Sequence, residues 1–130
     1  MKRSTILAAA TAAVAVTATT PAAAQYRGWR TIAYKTVNGH DTDNIPVRGT
    51  ARYRQLRVCV YGGPINMRDL DVWFRNGRHQ DIGTRSRMRA GTCTRNLDLR
   101  GHYRDVTRVR LKYAPLARGW TRPLVRVQVR

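Results

Sequence analysis

Apolar and polar residues alternate with a period of two along nearly all of the chain beyond residue 25. In residues 54–61, Leu56, Val58 and Val60 alternate with Arg57, Cys59 and Tyr61. Residues 108–113 set Arg108, Arg110 and Lys112 against Val109, Leu111 and Tyr113. Residues 124–130 set Arg126, Gln128 and Arg130 against Val125, Val127 and Val129. Such alternation belongs to strands with one buried and one solvated face. No comparable stripe of helical period stands out.

Turn residues divide the pattern. Gly62-Gly63-Pro64 separates the 54–61 strand from a second one over 65–75, and Asn76-Gly77 leads into Arg78-His79-Gln80. Asn-Gly is the strongest short-range hairpin signal, because both central residues of a type I′ turn need positive φ. The three segments are expected to form an antiparallel meander. Further strands are expected over 29–37, 92–99, 103–113 and 124–130, with a loop at 114–122 that contains Pro115 and Gly119. Seven or eight strands, broken every 8–12 residues, predict an all-β fold. A single antiparallel β-sandwich fits best, with a small closed β-barrel as the alternative.

The N-terminus reads differently. Met1-Lys2-Arg3 is followed by an alanine-rich apolar run over residues 6–16 and by Ala22-Ala23-Ala24 before Gln25. A basic start, a short apolar core and small residues at the cut mark residues 1–24 as a signal peptide. The core is shorter than the roughly 20 apolar residues a membrane span needs, and no transmembrane segment is expected in the mature form. Residues 25–130 then form one domain, exported to the periplasm or secreted, of a size that holds one core.

Charge sharpens this picture. The 130 residues carry 25 Lys and Arg against 7 acids, a formal charge of +18, and every acid is Asp. Removal of Lys2 and Arg3 lowers the charge to +16. GC-rich codon usage can account for the excess of Arg over Lys, but the electrostatic field exists whatever its origin. It favours anionic partners.

Cys59 and Cys93 are the two cysteines, and export allows them to form a disulfide. A bridge closing a loop of about 35 residues stabilises by roughly 3–4 kcal/mol. Parity opposes it: Cys59 points away from Leu56, Val58 and Val60, whereas Cys93 shares parity with Leu97 and Leu99. A bulge would remove the conflict; two free thiols are the alternative.

The motifs Asp41-x-Asp43-x-Ile45-x-Val47, Arg68-Asp69-Leu70 and Asn76-Gly77-x-x-Gln80-Asp81 follow one another after Trp29. In this order the chain, from about residue 29 to 113, resembles a family of small secreted bacterial proteins of unknown function. The resemblance implies export and a β-rich fold and brings no catalytic residues.

Candidate chemistry is sparse. Ser86 stands between Arg85 and Arg87 with no histidine beside it. A thiol–imidazole pair of either cysteine with His79 or His102 needs a free thiol, which a disulfide removes. Glycosidase chemistry needs one carboxyl of raised pKa, and arginines close in sequence to each Asp would lower it. No catalytic residue is assigned. Asp41 and Asp43 begin like a calcium loop but lack its glycine and closing glutamate, so they are a weak metal candidate beside a turn-forming role. No zinc-ligand spacing occurs, and no cofactor is expected.

The basic residues are the feature to pursue. Arg108, Arg110, Lys112, Arg126 and Arg130 share outward parity on two strands and, if those strands share a sheet, form a ladder of cations. Like charges opposite each other destabilise a sheet, and guanidinium forks suit phosphate and carboxylate. Trp120, between Arg118 and Arg122, could add a stacking platform. The sequence is thus read as an exported, non-catalytic protein that binds anionic polymers or the envelope surface (lipid phosphates, acidic polysaccharide, nucleic acid) or an envelope protein. The alternatives are a small periplasmic hydrolase or metal-dependent enzyme, and a structural partner subunit.

Overall fold

The computed structural model describes residues 28–101 and 103–130, so the expected leader at 1–24 lies outside the described residues. Eleven strands follow in order: β1 (Arg30–Thr36), β2 (Thr42–Pro46), β3 (Arg52–Tyr53), β4 (Gln55–Tyr61), β5 (Ile65–Phe74), β6 (His79–Ile82), β7 (Ser86–Met88), β8 (Thr92–Cys93), β9 (Leu97–Asp98), β10 (Arg104–Tyr113) and β11 (Leu124–Val129). One sheet runs β1-β11-β4-β8, with β9 also on β4; the other runs β2-β10-β5-β6, with β3 on β10 and β7 on β5. Every pairing is antiparallel. Short strands share an edge in pairs, β2 with β3, β6 with β7 and β8 with β9. The chain thus fills eight strand positions, four per sheet. The two sheets stay open and face each other: this is a β-sandwich and not a closed barrel.

Leu56, Val58, Val60, Val125, Val127 and Val129 line the inner face of the first sheet, and Leu70, Val72, Val109 and Leu111 that of the second. All are buried in one apolar cluster. Burial of an aliphatic side chain is worth roughly 1.5–3 kcal/mol, so the period-two pattern fixes which face of each strand turns inward.

Where the pattern breaks, a bulge restores it. Val106 and Val109 both point inward although three residues apart, because the β10–β5 register shifts between Val106 and Arg108. Met67 and Leu70 on β5 do the same across the shift at Lys112/Tyr113. One extra residue reverses the parity of everything beyond it. The cysteine conflict has the same solution. Cys59 pairs with Cys93 and Leu56 with Leu97, so four steps along the chain from β8 to β9 answer three steps along β4. Cys93 therefore stands on the outer face while Leu97 is buried. Cys59 and Cys93 form a disulfide.

Two turn assignments change. Gly62-Gly63-Pro64 does not continue a meander; it carries the chain from β4 in the first sheet to β5 in the second. Gly63 packs so closely that a Cβ would lie 3.3 Å from the Thr121 carbonyl oxygen. The β5–β6 hairpin forms, but Gly77 N–H donates to Phe74 C=O at 3.0 Å and Phe74 N–H to Arg78 C=O at 2.8 Å. Arg75 and Asn76 are the central pair and Gly77 follows at φ 83°. That is a three-residue loop with a left-handed glycine, not a two-residue turn centred on Asn76-Gly77.

Candidate anion-binding face

The two strands expected to carry one cationic ladder belong to different sheets. Arg108, Arg110 and Lys112 of β10 face outward from the second sheet, while Arg126 of β11 and Arg130 just beyond it stand on the outside of the first. These two surfaces differ in their counter-charges.

On the second sheet the β10 cations meet partners. Arg108, Arg110 and Lys112 lie opposite Trp73, Asp71 and Asp69 of β5. Nε and Nη2 of Arg110 both donate to Oδ2 of the buried Asp71, at 3.2 and 2.8 Å. The Arg108 guanidinium lies 3.9 Å from the centre of the Trp73 ring, and His79 stacks against that ring at 5.3 Å. Asp69, Asp71 and Asp81 bring carboxylate oxygens within 4.8 Å of one another. A hydrogen bond with Asp69 is the main cause that raises the Asp81 pKa. Crowded carboxylates therefore outweigh the opposing charge of His79 at Asp81, against the expectation of a lowered pKa there.

The raised pKa carries a stability effect. The folded chain binds this proton more tightly than the unfolded chain does, so the contribution is present below the ordinary Asp pKa and lost as pH rises through the folded value. At neutral pH the pair repels. Asp81→Asn is expected to raise Tm at pH 7 and leave it unchanged near pH 3; thermal melts at both pH values test this.

The first sheet presents cations that, among the described residues, no carboxylate pairs. Arg57 on β4 lies directly opposite Gln128 on β11, diagonal to both Arg126 and Arg130. Diagonal neighbours on one face stand about 7–8 Å apart. Nε of Arg57 donates to Oε1 of Gln128 at 2.8 Å, and Nε of Arg130 to Oε1 of Gln55 at 2.7 Å. Nε2 of Gln128 donates in turn to Oγ1 of Thr31 at 3.2 Å. Neutral amides thus orient both guanidiniums. The same two groups lie against Trp29, 4.5 and 4.6 Å from its ring centre. Arg126 lies 4.6 Å from the Tyr61 ring centre and opposite Tyr34, which is 71% exposed.

Burial is the main cause that lowers the Arg57 pKa, and the nearby charge of Arg130 adds to it. The group stays protonated at neutral pH. Asp43, Asp69, Asp71, Asp81 and Asp105 stand on strands of the second sheet and Asp41 in the loop leading into it. Asp98 on β9 is the sole aspartate of the first. Among the described residues the salt bridges are Lys35–Asp43, Arg75–Asp105 and Arg110–Asp71. None reaches Arg57, Arg126 or Arg130.

The other sequence candidates disperse. Asp43 lies on a strand and accepts from Asn38 N–H, Lys35 Nζ and the Tyr113 hydroxyl. These contacts are structural: Asp43 belongs to strand β2, while Asp41 stays in the loop before it. With Cys59 and Cys93 joined, neither thiol is free to pair with a histidine. Ser86 is exposed on edge strand β7. Trp120 is 59% exposed in the loop before β11 and lines a hollow with Arg118 and Arg122. Sequence reasoning missed Arg57 and Trp29 as members of the site. The outward parity of Arg57 was visible, but its pairing with Gln128 was not.

Among the described residues no helix is long and apolar enough to cross a membrane. No curated protein matches the sequence. The fold is similar to part of a solved structure of Pseudomonas aeruginosa AlgX, with a TM-score of 0.52 at 12% identity over 78% of this chain and 26% of that one. The chain spans about a quarter of that protein, and the likeness concerns the fold alone. Residues 6–128 match one family model, and the chain belongs to that family, described as a domain of unknown function (DUF2541).

Proposed function

We propose that this protein is an exported, non-catalytic binding domain that holds anionic envelope or extracellular material on the outer face of its first sheet. The leader-like residues 1–24 and the disulfide support export, since disulfides persist in oxidising compartments. The observation that carries the reading is the convergence of Arg57 and Arg130 on Trp29, each tied through Nε to a glutamine and neither to a carboxylate. Two like charges held together without a counter-ion repel, and a bound oxyanion relieves that repulsion. Their Nη edges remain to grip it.

The test is binding to heparin as a generic polyanion across a salt series. Arg57→Gln, Arg126→Gln and Arg130→Gln together are expected to weaken binding at least about tenfold and to flatten its salt dependence. Removing the same charge from the exposed Arg85, Arg87 and Arg89 is expected to cost much less. Equal losses in both triple variants would show a diffuse field with no site.

A further inference from the structure

The cationic face does not stop at the edge of the sheet. Arg130 also lines a cleft of about 740 Å³ at one end of the sandwich, together with Arg54, Gln55, Asp98, Leu99 and Arg100. The backbone builds this cleft: Arg54 and Gln55 N–H both donate to Arg130 C=O, at 2.9 and 3.0 Å, and Leu99 N–H donates to Arg54 C=O at 2.9 Å. Leu99 is buried. Arg54 lies 4.4 Å from the ring centre of Tyr103, outside the cleft lining.

Asp98 sets this cleft apart from the rest of the cationic surface. Its Oδ1 accepts from Nε2 of Gln55 at 2.8 Å, and Oε1 of the same glutamine accepts from Arg130. Three arginines line the cleft, yet among the described residues none forms a salt bridge with Asp98. The carboxylate is thus held in place by an amide, and its second oxygen remains an acceptor for a ligand. A ligand made of phosphates alone has no proton to give that oxygen and is repelled by it. A uronic-acid polysaccharide supplies both what the arginines and what the aspartate want: carboxylates for the guanidinium forks and hydroxyl donors for Asp98.

We infer that this cleft is the sugar-reading part of the anion-binding face, and that the polymer it takes is an acidic polysaccharide. One stretch of the polymer lies along Arg126, Arg57 and Arg130, and the next enters the cleft, where a sugar hydroxyl donates to Asp98 and carboxylates pair with Arg54 and Arg100. This rests on the anion-binding reading above and narrows it to one ligand class.

The experiment titrates the disulfide-bonded chain with polygalacturonate, with inorganic polyphosphate of matched charge number and with a single-stranded oligonucleotide, by calorimetry at low salt. The wild type is expected to hold polygalacturonate most tightly. Asp98→Asn keeps an acceptor for Gln55 but turns the free oxygen into a donor. It is expected to lower polygalacturonate affinity about tenfold, the loss of one hydrogen bond to a charged group, and to leave polyphosphate affinity equal or higher. Arg54→Gln with Arg100→Gln is a second variant, with both changes at exposed positions, and is expected to weaken polygalacturonate more than polyphosphate. Tighter binding of polyphosphate or oligonucleotide by the wild type, or a gain with every polymer in Asp98→Asn, overturns the polysaccharide assignment and leaves the anion-binding face standing. Absence of salt-sensitive binding to all three polymers overturns both.

Discussion

Replacing Asp43 by alanine is expected to destabilise the domain by about 2–4 kcal/mol, a drop in Tm of roughly 10–25 °C for a domain of this size. The side chain of Asp43 is fully buried, with a relative exposure of 0%. It ties the sheets together: Lys35 on β1 of the first sheet reaches Oδ1 at 3.0 Å, and Tyr113 on β10 of the second donates to Oδ2. Asn38 N–H, in the connection between β1 and β2, donates to the same carboxylate at 3.0 Å. Alanine leaves these donors facing a cavity. Lys35, whose side chain is 40% exposed, can turn to water, which places the loss below that of a fully buried ion pair. Lys35→Met leaves the buried carboxylate to Asn38 and Tyr113 alone and is expected to cost about 1–3 kcal/mol. A Tm for Asp43→Ala within about 4 °C of the wild type would remove Asp43 from this role.

Tyr113 gives the same node a pH signature. Burial, and then the hydrogen bond to Asp43, raise its pKa above the ordinary value of 10.0. The folded chain therefore resists tyrosinate formation more than the unfolded chain does. The stabilisation is complete below pH 10 and declines as pH climbs toward the raised value. Melts across the alkaline range are expected to show this slope in the wild type and to lose it in Tyr113→Phe. An unchanged slope in the variant would assign it to other groups.

How far the sequence could reveal this node follows from what alternation encodes. Period two tells which side of a strand is apolar, and so the strands over Gln55–Tyr61, Ile65–Phe74, Arg104–Tyr113 and Leu124–Val129 were legible from residues such as Val58 and Val127. It cannot tell which sheet a strand joins. Arg110 and Arg126 have the same outward parity but stand on opposite outer faces, and only the pairing of β10 with β5 shows that Asp71 answers Arg110. Strand β2 was hidden by chemistry. Asp43 and Ile45 alternate inward as strand residues should, but a carboxylate in an inward position reads as a loop until Lys35 and Tyr113 are seen around it. Pro46 is compatible with the strand, since β2 lies at the sheet edge and an edge strand accepts a proline.

Loss of the Cys59–Cys93 bridge is expected to produce the other large effect, about 3–4 kcal/mol for a closed loop of this length. The bridge joins β4, deep in the first sheet, to β8, which has two residues and no other strand partner. Sequence separation of 34 makes the closure costly for the reduced chain, and Cys59 is buried while Cys93 is exposed. Without the bond, β8 keeps few ladder bonds to β4, and the segment from β8 into β9 is where opening should begin. Cys59→Ala with Cys93→Ala is therefore expected to lower the denaturation midpoint and to speed amide exchange at Thr92 and Thr94 ahead of Val127. Thr94 is informative because its N–H donates to Val58 C=O at 2.8 Å and its Oγ1 accepts from Val58 N–H at 3.1 Å, bonds that continue the β4 edge past the bulge. Since Asp98 follows on β9, loosening of this edge should also reach the end cleft and weaken polygalacturonate binding. Binding to Arg57 and Arg126, which sit on the continuous β4–β11 ladder, should survive. A double variant that melts with the wild type, or that opens evenly across both sheets, would mean that the β4 edge is held by the bulge and its hydrogen bonds and not by the disulfide.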